Sequence, residues 1–365
     1  MGLADKVKRI EDDIHRTQVN KQTEHHIGLL RAKLSRLKAE QEEQQSRRAG
    51  SKIGYDIKKS GDATVVLIGL PSVGKSTLLN RLTNAKSKVA SYRFTTLEVI
   101  PGVMEYNGAR IQILDLPGIV KGASSGKGLG KRVLAVARSA DLVLFIVDVF
   151  QPEARGILEK ELESAGIRVD EKPPNVVVER TASGGLAVSA QVKLTKISEA
   201  LIKDMLRVYG INSGRVLVRD DIDYEQLLDV LAANRTYIPS LTVMNKIDLV
   251  NSGFTDELTR KLPYGLLPIS AEADLNLEAV RKEIYGRLNL VRIYMRRRTG
   301  ETDFEEPMII KNGTTILEVC DKVHRNTKDD FRYAQIWGRS VRFGGQKVGM
   351  NHKLMDQDVL TIVTK

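Results

Sequence analysis

The first 48 residues carry apolar positions at helical spacing and contain no proline. Because side chains three and four positions apart share one helix face, this pattern predicts two amphipathic helices joined by a turn at the polar stretch 18–23. The apolar positions are Leu3, Val7, Ile10 and Ile14 in the first helix, then Ile27, Leu30, Leu34 and Leu37 in the second. An isolated coiled-coil arm and a basic hairpin that docks on RNA or on the next domain both fit this pattern.

From residue 61 the pattern changes to short apolar runs at 64–68, 142–147 and 241–244. Runs of this length without polar alternation are typical of strands in a parallel sheet, which is buried on both faces. The β-rich segments 98–106 and 109–114 flank Asn-Gly, the strongest short signal for a hairpin. Strands that alternate with helical segments predict an α/β domain.

The segment GLPSVGKST at 69–77 follows the first of these strands and precedes a leucine-rich helical segment. Its spacing is that of the phosphate-binding P-loop, whose glycines let backbone N–H groups surround phosphate oxygens. Lys75 would reach the β- and γ-phosphates, and the Ser76 hydroxyl would bind Mg²⁺. A plain glycine turn is the simpler interpretation, but the complete motif between a strand and a helix favours phosphate binding.

A second motif, Asp115-Leu-Pro-Gly118, ends the strand of the predicted hairpin. An aspartate at this place holds Mg²⁺ in P-loop enzymes, here through water, and Gly118 can present its N–H to the γ-phosphate. The following segment, 119–131, contains four glycines and can order around a γ-phosphate. A surface loop would look similar, but its position after the aspartate favours a nucleotide-dependent switch.

The segment Asn245-Lys-Ile-Asp248 follows another strand. The Asp248 carboxylate can accept from guanine N1–H and the 2-amino group, and adenine offers neither donor, which argues against an ATPase. Asn245 can bind both base and loop, and the Lys246 stem can lie on the purine face. A last strand leads to Ser270 and Ala271, whose backbone N–H suits guanine O6. Together the four segments specify a guanine-nucleotide-binding α/β domain.

Asp115 and Asn245 are 130 residues apart, which is more than the intervening strand–helix steps require. We therefore predict an inserted α+β subdomain at 170–222. Within it, 176–178 and 186–189 should pair as a hairpin, 194–209 should form a helix, and 216–218 another strand. Residues 223–233 should form a helix that returns to the main sheet.

The pattern of the C-terminal part predicts a small β-grasp module, and it shows no nucleophile–base pair. Helix 277–290 should close the nucleotide domain, and 292–298 should be a basic link. Short strands are expected at 308–310, around Trp337, at 341–343 and at 359–363, with one helix at 316–323.

Net charge is +11, and most of the excess lies at the two ends. Residues 1–60 hold 14 Lys/Arg against 9 Asp/Glu, and 291–365 hold 14 against 10, whereas 61–290 hold 29 against 27. Two basic ends beside a near-neutral core favour a polyanionic partner, and RNA fits best. The single cysteine, Cys320, and the absence of a hydrophobic leader fit a reducing cytoplasm.

These motifs in this order resemble the developmentally regulated GTP-binding (DRG) proteins, a branch of the Obg-like translation-factor GTPases. The resemblance rests on GLPSVGKST, SYRFTTL at 91–97, DLPGIVKGASSGKGLG at 115–130, NKID and ISA, and on both chain ends. It implies a P-loop GTPase domain with a mostly parallel sheet and helices on both faces. The expected parts are an N-terminal helical hairpin (1–48), a linker (49–62), the GTPase domain (63–169 and 223–290), an insert similar to ribosomal protein S5 (170–222) and a C-terminal TGS β-grasp domain (291–365).

The resemblance also implies roles for residues. Thr96, like Ser76, would bind Mg²⁺ directly, and it would sense the γ-phosphate, whereas Thr77 would touch the α-phosphate. Lys75, Thr96, Asp115 and Gly118 would form the catalytic set. The residues implied to hold GTP or GDP are Gly69, Pro71, Ser72, Val73, Gly74, Lys75, Ser76, Thr77, Phe94, Thr95, Thr96, Asp115, Gly118, Asn245, Lys246, Asp248, Ser270 and Ala271.

One position departs from the Ras-type pattern. Ile119 stands where Ras-type enzymes carry the glutamine that orients water, so we expect slow intrinsic hydrolysis helped by a cation, a backbone carbonyl or a partner. Potassium is the candidate cation, although Ser72 replaces the asparagine common in cation-activated relatives. The expected protein is a monomeric cytoplasmic GTPase that binds ribosome or RNA through its basic ends and has a regulatory protein partner, without a membrane or a specific DNA. The alternative is an RNA-binding adaptor that holds guanine nucleotide and hydrolyses almost none.

Overall fold

The computed structural model describes residues 2–18, 20, 23–48, 61–83, 100–116, 129–262, 264–297, 299–323 and 329–364. The chain divides into two compact units, one comprising 1–54 and 166–237 and the other 55–165 and 238–365. Most of the predicted linker, together with Phe94, Thr95, Thr96, Gly118 and Ile119, lies outside the described residues. Among the described helices, none combines the length and apolar character needed to span a bilayer.

In chain order the helices are α1 (Leu3–Arg16), α2 (Glu24–Arg48), α3 (Lys75–Leu82), α4 (Leu129–Arg138), α5 (Ala154–Ser164), α6 (Glu199–Val208), α7 (Tyr224–Ala232), α8 (Ser252–Lys261), α9 (Leu277–Arg287) and α10 (Ile316–Val323). The strands are β1 (Ala63–Ile68), β2 (Ile100–Tyr106), β3 (Ala109–Asp115), β4 (Leu142–Asp148), β5 (Ile167–Val169), β6 (Val176–Arg180), β7 (Leu186–Ala190), β8 (Gly214–Val218), β9 (Thr236–Ile238), β10 (Ser240–Asn245), β11 (Leu266–Pro268), β12 (Leu290–Met295), β13 (Met308–Lys311), β14 (Phe331–Trp337), β15 (Gln346–Val348) and β16 (Asp358–Thr364).

The second unit is built on a six-stranded sheet with the order β11-β10-β4-β1-β3-β2. All its neighbouring strands run parallel except β2, which pairs antiparallel with β3. Asn107 and Gly108 connect these two strands with φ angles of 49° and 80°, as the Asn-Gly signal predicts. The predicted hairpin and the mostly parallel sheet are confirmed.

Helices cover both faces of this sheet. Leu144 and Ile146 of β4 lie in one apolar core with residues of α3 and α9. Phe145, between them in sequence, must point to the opposite face, and there the Arg155 guanidinium of α5 lies 5.2 Å from the centre of its ring. Burial on both faces explains why these strands read as continuous apolar runs.

The C-terminal module is a five-stranded sheet with the order β13-β12-β16-β14-β15 and one helix, α10, which agrees with a β-grasp fold. Two predictions were wrong here. Much of the expected basic link at 292–298 is strand β12, which lies between β13 and β16. The strand expected at 341–343 is a bend, and the edge strand is β15 instead. The arginines at 292 and 296–298 made this segment look like a polar link, although Val291 and Ile293 are buried.

This module shares its core with the six-stranded sheet. Ile309 of β13 and Leu290 of β12 pack in the same apolar cluster as β1 and β3. The Lys311 ammonium lies 3.1 Å from the Asp141 carboxylate, whose other oxygen accepts from Thr64 N at 3.0 Å. The two sheets are therefore joined through packed side chains and an ion pair.

The first unit contains a three-stranded sheet with the order β6-β8-β7. The predicted hairpin between 176–178 and 186–189 was wrong, because β8 lies between these strands, antiparallel to β6 and parallel to β7. The expected helix at 194–209 begins later, at Glu199, where the Ser198 side chain accepts from Leu201 N. The long connection from β7 through α6 allows β8 to insert between the two earlier strands.

The N-terminal helices pack within the same unit. The helical hairpin predicted for residues 3–48 is present, and Lys38 of α2 pairs with Glu11 of α1 at 2.7 Å. Ala32 of α2 is fully buried in a core with α6, α7 and the three-stranded sheet. The Arg31 guanidinium pairs with Glu225 and lies over the Tyr224 ring. This hairpin is therefore a packed part of the unit, which rules out the isolated arm.

Helix α7 also belongs to this unit. Leu227 and Leu228 lie in the core with α6, and Asp229 is buried between Arg168 and Arg235. The unit accordingly includes residues 166–169 and 223–237, which the sequence pattern assigns to the GTPase domain. The prediction of an insertion between Asp115 and Asn245 stands, with a larger inserted segment.

Candidate guanine-nucleotide site

The loop between β1 and α3 is shaped by two glycines. A Cβ at Gly69 would lie 2.5 Å from the Ile146 carbonyl oxygen, so only glycine allows this close approach. Gly74 has a φ of 91°, and a Cβ there would lie 2.4 Å from Asn245 Nδ2. Ser72 also takes a left-handed conformation, with a φ of 64°. The loop thus turns tightly before α3 begins at Lys75, with the free N–H groups of the first helical turn beside it.

Lys75 folds back over this loop. Its ammonium donates to the Gly69 carbonyl at 3.0 Å and to the Leu70 carbonyl at 2.9 Å. Burial lowers the pKa of Lys75, and the nearby Asp115 carboxylate opposes that shift. The side chain therefore holds a partly desolvated positive charge at the loop, where a phosphate would be attracted.

Ser76, in the first turn of α3, comes together with Asp115, the last residue of β3. The Ser76 hydroxyl donates to Asp115 Oδ2 at 2.7 Å. Asp115 ends β3 opposite Leu67 of β1, and the parallel register brings its carboxylate next to the start of α3. A hydroxyl and a carboxylate are hard oxygen ligands of the kind that Mg²⁺ prefers, so the described residues fit a magnesium site.

Asn245 connects the phosphate loop to the loop after β11. Its Nδ2 donates to the Val73 carbonyl at 2.8 Å, and its Oδ1 accepts from Ala271 N at 2.9 Å. Ala271 N–H, predicted to face guanine O6, is therefore used within the protein in this structure. Ser270 Oγ accepts from Ala273 N at 3.0 Å and shapes the same loop.

Asp248 lies at the surface in a single 3₁₀ turn, Ile247–Leu249. Its carboxylate has no hydrogen bond or ion pair with any of the residues that the structure describes, which leaves it accessible to a ligand. Lys246, just before it, has a left-handed φ of 69°, and its ammonium lies 2.6 Å from Asp148 Oδ2. Asp148 was not among the predicted residues. Its position as the last residue of an apolar strand, like Asp115, is the signal that could have found it.

The arrangement brings four of the predicted segments to one edge of the sheet. These are the phosphate loop, the Asp115 end of β3, the Asn245–Asp248 segment and the loop at Ser270 and Ala271. Pro71 is exposed in the phosphate loop, and Thr77 is half-buried in the first turn of α3. Phe94, Thr95, Thr96 and Gly118 lie outside the described residues, so their roles stay predictions.

Comparison with known families agrees with this site. Residues 64–180 match the family described as 50S ribosome-binding GTPase, and 183–290 match the model of the C-terminal region of that domain. Residues 291–364 match the TGS domain.

Similar proteins match along the whole chain. Developmentally-regulated GTP-binding protein 2 of Homo sapiens is 43% identical over 366 residues and covers 100% of both chains. An uncharacterized GTP-binding protein of Methanocaldococcus jannaschii is 48% identical over 369 residues, covering 100% of this chain and 94% of its own. Among solved structures, the Schizosaccharomyces pombe YchF GTPase matches at a TM-score of 0.48 and 14% identity, over 84% of this chain and 99% of that one.

Proposed function

The chain belongs to the developmentally regulated GTP-binding protein family, and on that premise we propose that it is a GTP-hydrolysing molecular switch. One observation carries the proposal. The side chains suited to phosphate, magnesium and guanine converge at one sheet edge, and Asn245 joins the phosphate loop to the base-binding loop through two buried hydrogen bonds. Such a site holds triphosphate and base in fixed relation to each other.

Each residue of the site would have a separate role that follows from its chemistry. Lys75 would leave the carbonyls of Gly69 and Leu70 and neutralise the β- and γ-phosphates. Ser76 and Asp115 would hold Mg²⁺, Asp115 through water, and the bound ion supplies further neutralisation of phosphate charge. Thr96 and Gly118 would respond to the γ-phosphate, which makes the segments around them the switch. Asp248 would select guanine.

Hydrolysis is expected to be slow without help. An aliphatic Ile119 cannot orient the attacking water by hydrogen bonding. We infer that potassium stimulates turnover through the phosphate loop, where Ser72 offers an oxygen. Turnover would be measured in potassium and in sodium at matched ionic strength, and equal rates would exclude this activation.

GTP turnover of the full chain, measured with and without ribosomes, distinguishes a GTPase from an adaptor that hydrolyses almost no GTP. Wild type should release phosphate in a Mg²⁺-dependent manner, and Ser76→Asn should lose most of that activity, because the variant has no hydroxyl to bind the ion. No turnover above background in wild type, even with ribosomes, would support the adaptor instead.

We further propose that the protein acts on the ribosome or on RNA. The uneven distribution of positive charge supports this, since 9 of the 11 net charges lie at 1–60 and 291–365. Lys8 and Arg9 of α1 and Arg339 and Arg342 of the TGS domain are exposed. These side chains could contact phosphates without disturbing the fold.

Surface variants test this better than deletions. Removing 1–48 would take Ala32 from the core of the first unit, and removing 300–365 would take the sheet partners of β12. Ribosome co-sedimentation should be measured with a GTP analogue, with GDP and without nucleotide. Two double variants are needed, Lys8→Gln/Arg9→Gln and Arg339→Gln/Arg342→Gln. Each should bind ribosomes more weakly than wild type, and its binding should depend less on salt concentration. Binding of the combined variant at the wild-type level would contradict the proposed surfaces.

A further inference from the structure

Asp148 occupies a defined place beside the base-binding segment. It ends β4, and the parallel register places it directly opposite Asn245 at the end of β10. Its Oδ2 lies 2.6 Å from Lys246 Nζ, and its Oδ1 accepts from Phe150 N at 3.0 Å. Both carboxylate oxygens are therefore engaged, and the backbone hydrogen bond fixes the side chain before any ligand arrives.

Both the backbone and the side chain of Lys246 are costly to order. Its φ of 69° is unfavourable for a residue with a Cβ. A free lysine side chain samples many rotamers, and a ligand that bound along the stem would have to overcome that conformational entropy. The ion pair with Asp148 removes much of that freedom in the protein itself.

We propose that Asp148 is a positioning residue for the nucleotide base. It draws the Lys246 ammonium toward the end of β4, which holds the four-carbon stem extended as an apolar surface for the purine ring. This inference rests on the proposed guanine-nucleotide binding. Asp148 acts through Lys246 and does not touch the base, so its effect differs in kind from that of Asp248.

This difference between Asp148 and Asp248 can be tested by measuring nucleotide binding to the full chain. GDP, inosine diphosphate and xanthosine diphosphate share the purine face but differ in the groups that Asp248 would read. Asp148→Ala should weaken the binding of all three by a similar factor of about ten, within the coupling range of neighbouring side chains. The ratio of their affinities should stay at the wild-type value. Asp248→Asn should change that ratio in favour of xanthosine diphosphate.

Three comparisons distinguish a positioning role of Asp148 from a general effect on the stability of the protein. Asp256→Ala, an exposed carboxylate on α8, should bind all three nucleotides like wild type. In a Lys246→Met background, Asp148→Ala should cause no further loss, because the ammonium that Asp148 holds is gone. Without nucleotide, Asp148→Ala should melt close to wild type, since partly exposed ion pairs stabilise little.

Isothermal titration calorimetry gives the affinities, and thermal denaturation gives the stability. Should Asp148→Ala fold poorly, Asp148→Asn retains the shape and removes the charge, and its affinities decide the question. Wild-type affinity in Asp148→Asn, or an equal loss in the Lys246→Met background, would overturn the role of Asp148 and leave the proposed function intact. Failure of wild type to bind GDP would instead overturn the proposed function.

Discussion

The side-chain Nδ2 of Asn245 donates to the backbone carbonyl of Val73 at 2.8 Å, which joins two segments separated by 172 residues. The same amide accepts from Ala271 N, so one buried side chain at the end of β10 joins the phosphate loop to the loop after β11. This relationship makes the loop after β11 dependent on the shape of the phosphate loop.

Replacing Asn245 by alanine should therefore lower both stability and nucleotide affinity. The change leaves the buried Val73 carbonyl and Ala271 N–H without partners, at about 1–3 kcal/mol for each group. We expect the free energy of unfolding to fall by about 2–6 kcal/mol, measured by urea denaturation, with a parallel loss of GDP binding. Asn212→Ala, on an exposed site of the first unit, is the matched control. Wild-type stability in Asn245→Ala would show that these two hydrogen bonds contribute little.

Nucleotide binding should weaken at alkaline pH because of Lys75. Burial lowers the pKa of Lys75 below its ordinary 10.5, so the ammonium in the free protein begins to lose its proton earlier than an exposed lysine does. Phosphate attraction requires the charged form, and GDP affinity should therefore fall as pH rises through this lowered pKa. Stability changes in the opposite sense, because between the two pKa values the unfolded chain binds more protons.

Fluorescent GDP titrations between pH 7 and 10.5 would measure this dependence. Lys75→Met should bind weakly and lack the component of pH dependence that comes from the lysine. Identical pH profiles for the two proteins would show that Lys75 does not titrate in the binding range.

The packing of α2 in the first unit can be tested with one substitution at two positions of that helix. Ala32 is fully buried and Ala39 is exposed. Ala32→Leu inserts three extra carbons into a packed core and should destabilise the unit by about 1–3 kcal/mol, whereas Ala39→Leu should leave stability nearly unchanged. Guanidinium denaturation followed by circular dichroism gives both values. Equal stability of the two variants would mean that α2 does not pack against α6 and α7.

The TGS domain should depend on an ion pair that is sensitive to acid. Arg292 Nε and its second guanidinium nitrogen lie 3.2 and 2.9 Å from the two oxygens of Asp356, and Arg292 N donates to Oδ1 at 2.8 Å. The hydrogen bonds from the Arg292 side chain are the main reason why the pKa of Asp356 is lowered. Since the folded pKa lies below the unfolded value of 3.8, this stabilisation is present above 3.8 and is lost as pH falls through the folded value.

Asp356→Asn should accordingly lower the melting temperature at pH 7, by the equivalent of about 1 kcal/mol or less, because the pair is partly exposed. The difference from wild type should shrink as pH falls below 3.8. Glu301→Gln is the control, because its pair with Arg297 is long, at 3.8 Å, and almost fully exposed. A difference between wild type and Asp356→Asn that does not vary with pH would contradict the ionic origin.

Local chemistry explains what could be predicted about the nucleotide site. A P-loop needs its glycines, lysine and serine in one short stretch, so 69–77 was recognisable without a partner. The Asn107–Gly108 turn could also be predicted from local sequence, because these two residues readily adopt the positive φ angles that join β2 to β3. The proposed role of Asp148 could not be predicted from the sequence, because it depends on Lys246. That residue is 98 positions away and comes close only through the register of β4 and β10.

By itself, the sequence determined the P-loop domain and the order of its motifs, because each motif rests on contiguous residues, and the 130-residue spacing between Asp115 and Asn245 predicted an insertion. Only the tertiary structure decided that β8 separates β6 from β7, that β12 is an interior strand, and that α2 belongs to the core of the first unit. Strand order and helix packing are set by contacts between distant segments. The segment 292–298 contains four arginines and therefore resembles a surface link, although the neighbouring strands bury Ile293 within it.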